Sequence, residues 1–416
     1  MNAFSYRNNE LCAEGIPLAR IAAQYGTPCY VYSRAALERT YSEFAEALKA
    51  REHLICYAVK ANSNLAVLNL FARLGAGFDV VSGGELQRVL AAGSTASKVV
   101  FSGVGKSEAE IKLALSSGIL CFNVESESEL KRLDAIAGEM GREAPVSLRV
   151  NPDVDPNTHP YIATGLKRNK FGIAFAEAEE VYLLAKSLKN IRIIGIDCHI
   201  GSQLTDLAPI AAALEKVIEL VERLRSHEIE LSHIDVGGGL GIRYENESPP
   251  SINEYAQAIL RALKGRRETL IVEPGRALVG NAGVLLTKVE YLKHTEEKNF
   301  AIVDAAMNDL LRPALYNAYH EIVPVTKRDT GAKLYSIAGP VCESADFLGE
   351  DRLLAIEEGN LLAVLSAGAY GMSMSSNYNT RPRVAEVMAD GDRAHLIRGR
   401  EQVADLFALE RLLPED

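Results

Sequence analysis

Apolar and polar positions along the first two thirds of the chain alternate between two kinds of stretch. Eight short apolar segments, at 54–61, 78–83, 98–104, 120–126, 146–151, 191–200, 233–237 and 270–273, are separated by helix-length stretches. The segments form nearly continuous runs of Val, Ile, Leu and aromatics, as parallel strands buried on both faces should. Between them, stretches such as 64–74, 85–92, 108–116, 128–137 and 207–224 place apolar residues at i, i+3 and i+4 with charges opposite, and several stop at Gly75, Gly93 or Gly118, as helix C-termini do. This alternation predicts a (β/α)8 TIM barrel. The segment ends carry Lys60, Asp79, Glu125, Asn151, His199, the Gly237-Gly238-Gly239 run and Glu273. Barrel enzymes build their sites at that end of the strands.

After Gly283 the periodicity changes to short β-rich runs at 284–292, 300–304, 321–325, 334–338, 353–355, 361–365 and 384–388, with polar turns between them. These predict an all-β domain. A barrel takes about 250 residues, so a chain of 416 has room for it. The expected organisation is an N-terminal segment 1–34, with a helix over 17–25 and a strand over 29–32 that joins the β-domain, then a barrel over 35–280, then a C-terminal β-sandwich or barrel-like domain over 281–416.

Composition narrows the function classes. With 45 basic and 55 acidic residues the formal charge is -10, and no basic run is interleaved with aromatics, so nucleic acid is not an expected partner. No apolar run approaches the ~20 residues of a membrane span. The polar start of the chain does not read as a signal peptide, and the six cysteines form no C-x-x-C pair or zinc spacing. The expectation is a cytoplasmic protein with reduced thiols and no metal centre.

The last two barrel strands carry the clearest chemistry. Three consecutive glycines end the seventh in His233-Ile-Asp-Val-Gly237-Gly-Gly239-Leu-Gly241, and Glu273-Pro-Gly275-Arg276 ends the eighth. A glycine run alone is equally a tight turn, but barrels commonly bind phosphate in the loops after strands seven and eight, where backbone N–H groups can wrap an anion. Lys60, at the end of the first strand, is either a lysine reaching solvent or a desolvated amine whose pKa falls from ~10.4 and which forms a Schiff base. A phosphate-bearing aldehyde explains both the lysine and the cradle. His199, in His199-Ile-Gly-Ser202, is a packed core histidine or a plate stacked on a flat cofactor, with Ser202 within reach of a phosphate. Glu273 is a rim carboxylate paired with an arginine, or the partner of a pyridine nitrogen.

The motifs Tyr57-Ala-Val-Lys60-Ala-Asn62, His199-Ile-Gly-Ser202, Gly237-Gly-Gly239 and Glu273-Pro-Gly-Arg276 resemble the alanine-racemase-fold decarboxylases that use pyridoxal 5′-phosphate (PLP). Within them, Arg149-Val-Asn151-Pro-Asp-Val-Asp155, Thr158-His159-Pro-Tyr161-Ile-Ala-Thr-Gly165, Lys170-Phe-Gly-Ile173, Asn308-Asp-Leu-Leu-Arg312-Pro-Ala-Leu-Tyr316, Gly339-Pro-Val-Cys342-Glu343-Ser344-Ala-Asp346 and Ala369-Tyr370-Gly371 are similar to the diaminopimelate decarboxylase branch. The resemblance implies that Lys60 binds PLP covalently, that Gly238, Gly239, Gly275, Arg276 and Tyr370 contact the cofactor with Ser202 assisting, that His199 stacks on the ring, and that Glu273 meets its nitrogen. Cys342 would be a proton donor delivered by the neighbouring subunit of a homodimer. Arg276, Arg312 and Tyr316 would grip a distal carboxylate, Glu343 would pair with a distal ammonium, and Tyr370 would also touch substrate. The β-domain would then contribute substrate and dimer contacts.

The implied activity is decarboxylation of meso-2,6-diaminopimelate to L-lysine, the last step of lysine biosynthesis. An ornithine, arginine or carboxynorspermidine decarboxylase is the rival on the same scaffold; Arg312 weighs against a simple diamine product, because ornithine would leave a buried arginine pair uncompensated. A non-catalytic PLP-binding barrel leaves Cys342 and Glu343 without a role. A lysine-dependent aldolase leaves the phosphate cradle and Glu273 unexplained.

Overall fold

The computed structural model describes residues 3–154, 170–328 and 331–414, and the chain divides into two compact units. One comprises 38–243 and 247–278; the other comprises 1–37, 244–246 and 279–416.

The first unit is a closed parallel barrel. Its strands are His53–Ala58, Gly77–Val80, Val99–Phe101, Cys121–Val124, Ala144–Asn151, Ile191–Asp197, His233–Asp235 and Thr269–Val272. Each pairs with the next, and the circle closes where Leu270 lies opposite His53. A two-residue strand, Ile173–Ala174, pairs with the last two residues of Ala144–Asn151. The strands are nearly all buried, as the apolar runs require, and Tyr57, Phe78, Phe101 and Phe122 are among the largest fully enclosed side chains.

Most of these strands end sooner than their apolar runs do. The run at 54–61 stops pairing at Ala58 and turns into the short 3-10 segment Val59–Ala61. The run at 78–83 stops at Val80, because Ser82 already caps the helix Gly83–Ala91 by accepting the Glu85 N–H. Ser107, Ser126 and Ser251 start three further helices in the same way, two of them with a reciprocal glutamate at the third position. A serine cap satisfies N–H groups that the first helical turn leaves without partners. Lys60, His199 and Glu273 consequently lie just beyond the ladder, at the barrel mouth rather than within it.

The second unit holds a nine-stranded sheet built on the long strand Gly283–His294. Its first half pairs with Cys29–Ser33 on one side and Leu361–Val364 on the other; its second half pairs with Asn299–Val303. Cys29–Ser33 also runs parallel to Ala385–Asp390. The apolar core here gathers Leu11, Ile16, Ile21, Val31, Val284, Leu286, Val325 and Val387. The sequence pattern did not reveal a small sheet of Phe4–Arg7, Glu10–Ala13 and Ile16–Pro17, or the edge strand Arg393–Arg398. Both are short or exposed, and a charged edge strand carries no buried run to read.

Gly195 shows how tightly the barrel is filled. It lies directly across from His233 in the ladder, and a Cβ there would sit 2.0 Å from the buried imidazole Nε2. The ring belongs to a packed interior and cannot swing away. Gly195→Ala should therefore destabilise the fold, by ~1–3 kcal/mol if the strain is typical of overpacking. Gly105→Ala, where nothing lies within 4 Å, should not. Thermal unfolding of the two variants checks this; equal midpoints would show that the ring relocates freely.

Candidate active site

Lys60 is presented by a loop that the chain fixes with local hydrogen bonds. The buried Tyr57 hydroxyl donates to the Asn62 carbonyl at 2.8 Å, and Asn62 Oδ1 accepts the Asn64 N–H at 3.1 Å. Asn64 in turn caps the helix Leu65–Arg73. The half-exposed Lys60 Nζ donates to Asp79 Oδ2, whose carboxyl is fully buried on the second strand. The other Asp79 oxygen has no hydrogen-bond partner among the described residues.

Deeper in the mouth, Asp197, Asp235 and Glu273 bring carboxylate oxygens within 4.8 Å of one another. Few groups compensate them. Arg149 Nε lies 3.8 Å from Asp197 while its Nη1 donates to Glu125 at 2.9 Å. The Gly237 N–H donates to Asp235 at 2.8 Å, and Asn123 Nδ2 to Glu273 at 3.4 Å. One oxygen each of Asp197 and Asp235 has no hydrogen-bond partner among the described residues. Burial, followed by mutual repulsion, raises Asp197 and Glu273 well above the carboxylate range, and burial with the Asp79 charge pushes Asp235 up to about 7. Burial also opposes the charge on Arg149, but Glu125, Asp197, Glu273 and Asp79 outweigh it and hold that arginine above its ordinary value.

The loops after strands six, seven and eight interlock through glycines. The Gly238 N–H donates to His199 Nδ1 at 3.1 Å, which leaves the ring proton on Nε2. Burial, with Arg149 and Lys60 nearby, drives the His199 pKa far down, so the ring is neutral. Gly237, at φ +65°, would place a Cβ 2.6 Å from that ring; Gly238 would strike the Glu273 carbonyl at 2.3 Å; Gly239, at φ +110°, would strike the Gly201 carbonyl at 2.6 Å. Two of the three N–H groups are thus spent on Asp235 and His199, while that of Gly239 has no partner among the described residues. Gly275 brings the eighth loop to within 3.0 Å of the Ala58 Cβ, measured from its own absent Cβ. Buried Arg276 follows and donates to Ser202 Oγ at 3.0 Å.

The remaining candidates belong to the β-rich unit. Cys342 is exposed between the strands Lys333–Ala338 and Phe347–Leu354. Its N–H donates to Asn379 Oδ1 at 3.0 Å, and the Asp346 carboxyl accepts the N–H groups of Val341 at 2.8 Å and Met307 at 2.6 Å. Glu343, also exposed, accepts the Ser344 N–H. Arg312 is buried at the start of the short helix Arg312–Tyr316, which Tyr316 ends half-buried. Tyr370 has φ +56°, a left-handed conformation that costs a bulky residue about 1–3 kcal/mol and marks constrained, often functional positions. Asp155 and the 158–165 motif lie outside the described residues.

Residues 34–280 match the pyridoxal binding domain of the pyridoxal-dependent decarboxylases. A diaminopimelate decarboxylase of Pseudomonas fluorescens is 61% identical over 416 residues, covering 100% of both chains. The chain belongs to the diaminopimelate decarboxylase family. The crystal structure of the Helicobacter pylori diaminopimelate decarboxylase complexed with L-lysine is similar with a TM-score of 0.91 at 46% identity, covering 94% of this chain and 99% of that one. The m. jannaschii enzyme, also in complex with L-lysine, gives 0.94 at 40% identity and covers 99% and 98%.

A family that depends on pyridoxal needs a primary amine, an anion site and an acid for the ring nitrogen, and the barrel mouth has all three. The fit extends to charge. Asp79, Asp197 and Asp235 each keep a buried oxygen without a hydrogen-bond partner among the described residues, so this mouth favours a cation, such as a protonated ring nitrogen.

Asp197, Asp235, Arg149 and Asn123 were not singled out from sequence. The signal was present, since a carboxylate inside an apolar strand, as in Ile-Asp-Val at 234–236, has no solvent to reach and requires a use. In cofactor-free protein Asp235 binds its proton more tightly when folded than when unfolded. The stability it contributes is therefore lost as pH rises from the carboxylate range to about 7. Asn keeps an acceptor for the Gly237 N–H and has no proton to lose. Asp235→Asn should melt with wild type at about pH 4 and above it at about pH 8. A constant difference across that range would mean that Asp235 is ionised without penalty.

Proposed function

We propose that the chain catalyses PLP-dependent decarboxylation of meso-2,6-diaminopimelate to L-lysine and CO2, the last step of lysine biosynthesis. One observation carries the reading: a single barrel mouth gathers the Lys60 amine, the buried Glu273 carboxyl and the Arg276–Ser202 pair. Relatives of the same name, two of them crystallised with L-lysine, support the choice of substrate.

Bound PLP supplies an electron sink for the electron pair that departing CO2 leaves behind. Lys60 Nζ attaches the cofactor, with Asp79 holding that amine at the mouth. Arg276, Ser202, the Gly239 N–H and the close approach at Gly275 would hold the phosphate, and Gly238 would act through His199 by fixing the ring that would lie against the pyridine. Glu273 keeps a proton on the pyridine nitrogen, which an electron sink requires. Cys342 Sγ returns a proton to the carbon that lost CO2. Arg276, Arg312 and Tyr316 grip the distal carboxylate by charge-assisted hydrogen bonds, Glu343 pairs with the distal ammonium, and Tyr370 closes on cofactor and substrate.

The working form is a cytoplasmic homodimer in which Cys342 and Glu343 serve the neighbouring subunit's barrel. All six cysteines are free thiols, which suits a reducing compartment, and among the described residues no helix is long and apolar enough to cross a membrane.

CO2 release from meso-diaminopimelate, ornithine and arginine, measured side by side, tests the substrate assignment. Turnover should be far higher on diaminopimelate, and a preference for ornithine would move the chain to the polyamine branch.

Shared sites make a separate prediction. Lys60→Ala and Cys342→Ala should each be inactive alone, yet mixing them under subunit exchange should restore part of the activity, because some heterodimers then carry one intact site. Exchange without recovery would place both residues in one subunit or deny Cys342 its role.

A further inference from the structure

Arg312 is held more firmly than its position at the start of a five-residue helix requires. Its guanidinium carbon lies 4.5 Å from the centre of the Tyr244 ring. Its Nη1 lies 2.8 Å from Nε2 of His320, a residue with no exposed surface. On the far side of that imidazole, Nδ1 lies 2.8 Å from the Leu365 carbonyl oxygen. A carbonyl can only accept, so Nδ1 carries the proton and Nε2 offers its lone pair to the arginine. Tyr244 meets the same imidazole edge-on, with ring centres 5.2 Å apart and planes at 77°. The His320 backbone is fixed as well, because Arg352 Nη2 donates to its carbonyl at 3.2 Å.

We infer that His320 is a positioning residue for substrate specificity: its neutral imidazole, locked to the Leu365 carbonyl, orients Arg312 to grip the distal carboxylate. The inference rests on the reading of Arg312 given above. A long, flexible arginine otherwise loses freedom when it binds, and a guanidinium already aimed by one of its own N–H groups loses less. The Tyr244 ring and the Nε2 acceptor together limit where the fork can lie. Neither touches the reacting carbon, so they act on recognition rather than on the chemical step.

Two ligands separate this role from a merely structural one. L-lysine carries the carboxylate that Arg312 grips, and 1,5-diaminopentane is the same molecule without it. Competitive inhibition by both should be measured on the PLP-loaded wild type and on His320→Asn and His320→Gln. The Asn amide nitrogen can replace Nδ1 at the Leu365 carbonyl but removes the acceptor that Nε2 offers to Arg312. The Gln amide oxygen can stand near Nε2 and restore it.

The expected result for His320→Asn is at least ~10-fold weaker L-lysine inhibition, unchanged 1,5-diaminopentane inhibition, and a KM for diaminopimelate that rises more than kcat falls. His320→Gln should recover most of the L-lysine affinity. Equal weakening of both ligands, or unchanged L-lysine affinity in the Asn variant, would overturn the inference while leaving the clamp itself standing. A wild type that does not distinguish the two ligands would instead overturn the Arg312 clamp, and this inference with it.

Discussion

Excess negative charge buried in the barrel mouth is the constraint on which the rest of the site depends. Asp197, Asp235 and Glu273 lie within 4.8 Å of one another, and two ionised carboxylates at that distance repel by about 3 kcal/mol even at an effective dielectric of 20. Arg149 is shared between Asp197 and Glu125, and Lys60 is engaged by Asp79. The cluster therefore retains a proton in the absence of another cation, which is the meaning of its raised acidities. Replacing such a cluster with apolar side chains would favour stability. In the function proposed above the cluster has a use: a cationic ring nitrogen would meet a carboxyl that ionises when a positive charge arrives and then holds it.

His199 answers to burial first. Desolvation disfavours its charged form, and the Arg149 and Lys60 charges add to that. The Gly238 N–H then fixes its tautomer, so the ring offers a neutral face to whatever lies against it. A charged imidazolium there would oppose a protonated pyridine. The glycine run that reads in sequence as an anion cradle consequently has two duties. Gly237 and Gly238 hold Asp235 and His199 and admit the neighbouring loops at close range, and Gly239 is the one with an N–H to spare.

The barrel was legible in the sequence because its strands are buried on both faces and its helices are amphipathic, two periodicities that do not mimic each other. The ends of the strands were less legible, since an apolar run continues into the residues that cap the mouth: Val59 and Ala61 are as buried as the strand that precedes them. Lys60, His199 and Glu273 stood out as polar residues closing apolar runs. Asp197 and Asp235 did not, because each sits inside its run, and only the three-dimensional closure of the barrel places them side by side. His320 lay eight residues beyond Arg312 with no periodic relation to it, a partnership made by a turn rather than by a helix face.

The β-rich unit follows a different principle. The loop that carries Cys342 and Glu343 is irregular, so its shape comes from individual polar side chains that hold backbone. Asp346 collects the N–H groups of Val341 and Met307, and Asn379 collects that of Cys342. A Cβ at Gly339 would come within 2.3 Å of the same Asp346 carboxyl, so the turn and its clamp require each other. This arrangement uses the backbone of the loop for structure and leaves the Cys342 and Glu343 side chains exposed, as the roles proposed for them require. The residues at the ends of the motif from Gly339 to Asp346 make the loop, and those in its middle are left to solvent.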